Sequence, residues 1–81
     1  MKIFVANFDK TTREDDLEKL FSEYGRVQTA EIAFNWKTEE KESWAFVEMS
    51  GDDDAERAIK RLSGRWWNGQ RLKVSKARNQ R

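Results

Sequence analysis

The chain has 81 residues, with 16 Lys and Arg against 15 Asp and Glu and neither Cys nor His. That length supports one domain, burying roughly 60% of the surface its unfolded chain exposes. The composition excludes disulfides and the usual zinc and transition-metal ligand sets, so no metal and no other cofactor is expected.

Residues 2–7 alternate as a strand does, with Ile3 and Val5 on one face and Lys2, Phe4 and Ala6 on the other. After a loop, a helix is expected to begin near Thr12 or Arg13, with Thr12 and Asp15 at the spacing of a capping box. Leu17, Leu20, Phe21 and Tyr24 then recur at i, i+3, i+4 and i+7, one apolar stripe for the core. Gly25 is expected to stop this helix as a left-handed C-cap. Val27 re-enters the core, and residues 28–34 read as a second strand. In it Ala30, Ile32 and Phe34 face the helices, and Thr29, Glu31 and Ala33 face outward.

Residues 35–42 form a polar, hairpin-type connection. Trp36 within it has two readings: a cap on the edge of the core, or a ring hanging beside the outer face. Residues 43–49 are the clearest strand, with Ala45, Val47 and Met49 inward and Trp44, Phe46 and Glu48 outward. A second helix is expected over 52–62, where Ala55, Ala58, Ile59 and Leu62 repeat the apolar spacing and Gly64 follows the end. Trp66 to Arg71 reads as a small hairpin, since Asn68-Gly69 suits a type I′ turn. Trp67 is expected in the core and Trp66 in solvent. Leu72 and Val74 make the inward face of a last strand, Lys73 and Ser75 its outward face, and Lys76 and Arg78 follow. The tail, 79–81, is basic.

The order strand, helix, strand, strand, helix, strand predicts an α+β fold with two helices on one face of a four-stranded antiparallel sheet. Two large outward positions on the third strand and one on the first would make a platform of Phe4, Trp44 and Phe46 if the strands are neighbours. Flat rings on a rigid sheet suit the stacking of unpaired bases. Net charge is +1, but from Arg71 onward there are five basic residues and no acid, while the helical segments are acidic. Local field rather than net charge governs the approach of a polyanion.

At these residues the chain resembles a known family. Ile3-Phe4-Val5-Ala6-Asn7-Phe8 resembles the shorter signature of the RNA recognition motif, and Glu42-Ser43-Trp44-Ala45-Phe46-Val47-Glu48-Met49 resembles the longer one. The likeness extends from Lys2 to about Arg78, giving a domain over 1–78. Leu72 to Arg78 looks most like the small single-domain RNA-binding proteins of cyanobacteria, other bacteria and plastids. The resemblance implies a ferredoxin-like βαββαβ fold with the first and third strands central.

The reading that follows is single-stranded RNA binding, with single-stranded DNA a second ligand and a monomer expected. Bases would stack on Phe4 and Trp44, with Phe46 against a base or the sugars. Lys2, Lys73, Ser75, Lys76 and Arg78 would meet phosphates and base edges, and Trp36 and Lys41 are secondary candidates. The alternative is a protein-interaction module on the same fold. Glu42 stands where the signature has Lys or Arg, and Lys41 would compensate only if turned outward. Ser43 replaces a Gly, and Glu31 and Glu48 add negative charge to the open face. An enzyme is not expected, because there is no Cys or His nucleophile or base and no Gly-rich phosphate loop. With no apolar run long enough to span a bilayer and no signal-peptide pattern, no membrane association and an intracellular, cytoplasmic location are expected.

Overall fold

The computed structural model describes residues 1–77, so Arg78 and the tail 79–81 lie outside the described residues. In chain order the elements are β1 (Lys2–Ala6), α1 (Glu14–Ser22), β2 (Val27–Asn35), β3 (Glu40–Met49), α2 (Asp52–Leu62), β4 (Trp66–Trp67), β5 (Gln70–Arg71) and β6 (Lys73–Lys76). Four strands form one antiparallel sheet in the order β2-β3-β1-β6, and β4 and β5 form a separate hairpin. This is the ferredoxin-like α+β arrangement, with β3 and β1 in the middle. No helix among the described residues is long and apolar enough to cross a membrane.

The core lies between the inner sheet face and the helices. Ile3, Val5, Ala45, Val47 and Met49 from the sheet meet Leu17, Leu20 and Phe21 of α1 and Ala55, Ala58 and Leu62 of α2, all buried. Small Ala side chains on α2 let that helix lie close to the strands. Tyr24, Ile59 and Trp67 are half-buried against the same cluster.

Val27 and Ala30 are three residues apart, so on a regular strand they would face opposite ways. A register shift between Val27 and Thr29 resolves this. Val27 pairs with Met49 and Thr29 with Glu48, so the extra residue lets both Val27 and Ala30 face the helices.

Four sequence expectations need correction. The capping interaction of α1 is displaced by one residue: the N-cap is Arg13, and its backbone N–H donates to the Asp16 carboxylate at 3.0 Å. Thr12 is instead buried, its hydroxyl unpartnered among the described residues. Gly25 is not a left-handed cap, since among the glycines only Gly64 and Gly69 have positive φ. It is required for space, because a Cβ there would sit 2.6 Å from the Asp54 Cβ. Asp54 is held in place by Arg57, at 2.6 Å, which also donates to the Tyr24 carbonyl at 3.3 Å and ties α2 to the turn after α1. Phe34 does not enter the core. It is 41% exposed, beyond a second register shift, and its ring packs edge-on against Trp36. Lys76 leaves the sheet on the helix side, because it pairs with the core residue Ile3.

The Trp66–Arg71 hairpin forms as expected, Asn68 and Gly69 both having positive φ (51° and 85°) as a type I′ turn demands. Asn7 fixes it to the sheet. Its Nδ2 donates to the Arg71 carbonyl at 2.8 Å, its own carbonyl accepts from Gln70 Nε2 at 3.2 Å, and its backbone N–H donates to the Ser43 carbonyl at 2.9 Å.

Candidate nucleic-acid interface

Alternation decides which side chains reach the open face. Phe4 pairs with Phe46 and Ala6 with Trp44 across β1 and β3, and cross-strand partners share a face. Their neighbours Ile3, Val5, Ala45 and Val47 are buried under the helices, so these rings point the other way. The three rings touch. Centroids are 6.0 Å apart for Phe4–Trp44, 5.9 Å for Phe4–Phe46 and 5.5 Å for Trp44–Phe46, the last edge-on. Trp44 stands opposite an alanine and is 39% exposed, which leaves much of its indole open to solvent.

Cations border the platform on two sides. The Lys2 ammonium lies over the Phe46 ring, 5.1 Å from its centroid. A cation over an aromatic face is attracted by the ring quadrupole. On the far side β6 brings Ser75 beside Phe4 and Lys73 beside Ala6, both exposed. Two acids share the face: Glu31 pairs with Phe46 and Glu48 with Lys2.

Other candidates stand elsewhere. Lys41 turns to α1, its ammonium 3.6 Å from the Glu14 carboxylate, so it does not compensate Glu42 on the open face. Partial burial pushes the Glu14 carboxyl up. A hydrogen bond from its own backbone, the Lys41 charge and a backbone hydrogen bond at Ile32 outweigh this and hold it below its ordinary value. Phe34 pairs with Lys41 and so shares the helix side of the hairpin; Trp36, 82% exposed, rests on Phe34 rather than capping the core or widening the platform. Lys76 faces away, as described, and Arg78 lies outside the described residues. Arg71, counted in the basic run but not among the site candidates, borders the open face beside Phe4. Its guanidinium lies over the Trp66 ring, 5.4 Å from the centroid, and its cross-strand pairing with Trp66 was the available signal.

Comparison with known proteins agrees with this geometry. The model of the RNA recognition motif family matches residues 3–73. RbpE of Nostoc sp., named as a candidate RNA-binding protein, is 40% identical over 78 residues, which cover 96% of this chain and 79% of RbpE. Among solved structures, that of RNA Binding Protein PG1 superposes with a TM-score of 0.93 at 34% identity, covering 100% of this chain and 98% of that one. The Sxl-lethal protein in its complex with RNA superposes with a TM-score of 0.90 at 33% identity, covering 98% of this chain and 47% of that one. By its fold, by both of its signature strands and by these relatives, the chain belongs to the RNA recognition motif family.

Proposed function

We propose that the protein binds single-stranded RNA on the open face of its sheet. The observation that carries this is the cluster of three contacting outward rings on the two central strands, with both helices on the opposite face. Bases stack on Phe4 and Trp44, and Phe46 packs against a base or the intervening sugars. Lys2, Lys73 and Ser75 meet phosphates and base edges. Stacking contributes about 1–3 kcal/mol per base and tolerates any sequence, since every base has a π-face. Glu31, Glu42 and Glu48 repel phosphates, so the affinity is moderate and falls with salt, each phosphate contact adding about −0.7 to the log–log slope.

Single-stranded DNA binds comparably or somewhat more weakly, according to how many 2′-hydroxyls are contacted. The protein acts as a monomer. The test is an NMR titration with a degenerate RNA pool. Shifts are expected at Phe4, Trp44, Phe46 and Lys73, with the outer faces of α1 and α2 silent. Shifts confined to the helices, or a strong preference for duplex, would refute the proposal.

A further inference from the structure

A groove of about 470 Å³ runs from Phe4 over the start of β6 to the end of α2, and Ser63, Arg71 and Lys73 share its lining. No carboxylate lines it, whereas three other surface grooves among the described residues each carry two. Lys60, Arg61 and Arg65 stand on the same stretch of chain as Ser63. None of these cations, nor Arg71 nor Lys73, pairs with a carboxylate among the described residues.

Ser63 is the C-cap of α2, extended (φ −64°, ψ 121°) and exposed. Gly64, next along, has nothing within 4 Å of where a Cβ would stand, so this turn is open to a large partner. The Gly64 N–H donates to the Leu72 carbonyl at 2.9 Å, which sets Ser63 beside the link from Leu72 to Lys73. Lys60 and Arg61 precede Ser63 by three and two residues. That charge pattern suits an enzyme whose substrate cleft carries carboxylates. Other hydroxyls lack this setting. Thr38 precedes Glu39 and Glu40, Ser50 precedes Asp52, Asp53 and Asp54, and Ser75 is held within β6 by its pairing with Phe4.

We propose that Ser63 is a phosphorylation site and that its phosphoryl group is captured in cis by Arg71 and Lys73. The Ser63 Oγ attacks the γ-phosphorus of a nucleoside triphosphate held by a serine kinase. A new O–P bond forms as the bond from that phosphorus to the β–γ bridging oxygen breaks. The hydroxyl proton passes to the kinase's base, and the nucleoside diphosphate leaves. The group brings about −1.5 to −2 charges and three acceptor oxygens. Arg71 lies over the Trp66 ring, which leaves the edge of its guanidinium, where the N–H donors point, free for a phosphate. A negative group at a helix C-terminus opposes the helix dipole, and Lys60 and Arg61 in the last turn offset this. Resting on the platform reading, the consequence is a switch: Lys73, assigned above to RNA phosphates, is occupied by a phosphate of the protein's own.

The test treats the full chain and S63A with Mg-ATP and the catalytic subunit of cyclic-AMP-dependent protein kinase, which favours serines preceded by cations. Peptide mass mapping should find the phosphoryl group on Ser63, and S63A should take up little. In the phosphorylated chain the Arg71 side-chain N–H and the Lys73 amide should shift. The phosphate should lose its second proton at lower pH than free phosphoserine does, and R71A should reverse most of that. Toward degenerate RNA at low salt, phosphorylation should cost about threefold to tenfold in affinity and make the log–log salt slope shallower by about 0.7, one phosphate contact. S63A should bind as unmodified wild type does. An unmodified Ser63, equal uptake by S63A, silent Arg71 and Lys73 signals, or unchanged RNA affinity after phosphorylation would overturn this proposal alone. Failure of the unmodified chain to bind RNA would overturn the platform reading, and the switch with it.

Discussion

Trp44→Ala removes the most open ring of the platform and leaves Phe4 and Phe46, whose centroids are 5.9 Å apart. A stacked base contributes about 1–3 kcal/mol, or about 5- to 160-fold in affinity. The indole is 39% exposed and faces only Ala6 across the strands, so its stacking surface is large. The surviving rings let a displaced base re-seat, which pulls the loss toward the lower half of that range. About tenfold weaker binding is expected. Lost contacts with Phe4 and Phe46 should cost folding about 1–2 kcal/mol, since an aromatic pair contributes about 0.5–1.5 kcal/mol beyond its buried area. Fluorescence anisotropy with a labelled degenerate RNA at low salt measures the first quantity and urea unfolding the second. A folded variant that binds within twofold of wild type would show that bases do not stack on this ring.

Other perturbations separate charge from packing. Replacing Lys2 and Lys73 together by Ala should flatten the log–log salt slope by about 1.4, two phosphate contacts' worth, with little change in stability; an unaltered slope would remove both from the phosphate path. Glu42→Lys should tighten binding to all sequences alike, measured on a randomised pool, and weaker binding would contradict the repulsion assigned to Glu42. Gly25→Ala should destabilise by about 1–3 kcal/mol in urea, because its Cβ would overlap Asp54, which Arg57 holds in place. The Glu14 carboxyl, held below its ordinary value of 4.5, contributes stability that is complete above that value and drains away as the pH falls through its lowered folded value. Urea midpoints of wild type and Glu14→Gln should therefore converge on acidification, and parallel curves would refute the ion pair's role.

The fold was legible because two periodicities dominate this sequence. Alternation at 2–7 and 43–49 placed Ile3, Val5, Ala45 and Val47 inside and the three rings outside, and period-3.6 spacing placed Leu17, Leu20, Phe21, Ala55, Ala58 and Leu62. What escaped depends on tertiary detail. The apolar pattern of Phe34 looks like core, but beyond the second register shift its ring packs on Trp36 and stays 41% exposed. Gly25 resembles a helix terminator, yet its constraint is a carboxylate from a helix some thirty residues on. Lys76 was grouped with the basic margin, Lys41 was offered as compensation for its neighbour Glu42 if turned outward, and the register turned both to the helix side. Arg71 was counted in the basic run but not among the site candidates, because only the hairpin, anchored by Asn7, brings it beside Phe4.

The clasp of Gly64 and Arg65 on Leu72 also bears on how these molecules behave when crowded. An uncapped flank of a sheet invites a second copy to add its own strand, and chains that accept such additions grow into insoluble polymers. Here the β6 flank is shut at one end by the clasp, and an in-register parallel copy of β6 would bring Lys73 and Lys76 against their own likenesses. On the β6 side, the bare sheet surface thus stands beside a flank that resists the addition of a second copy.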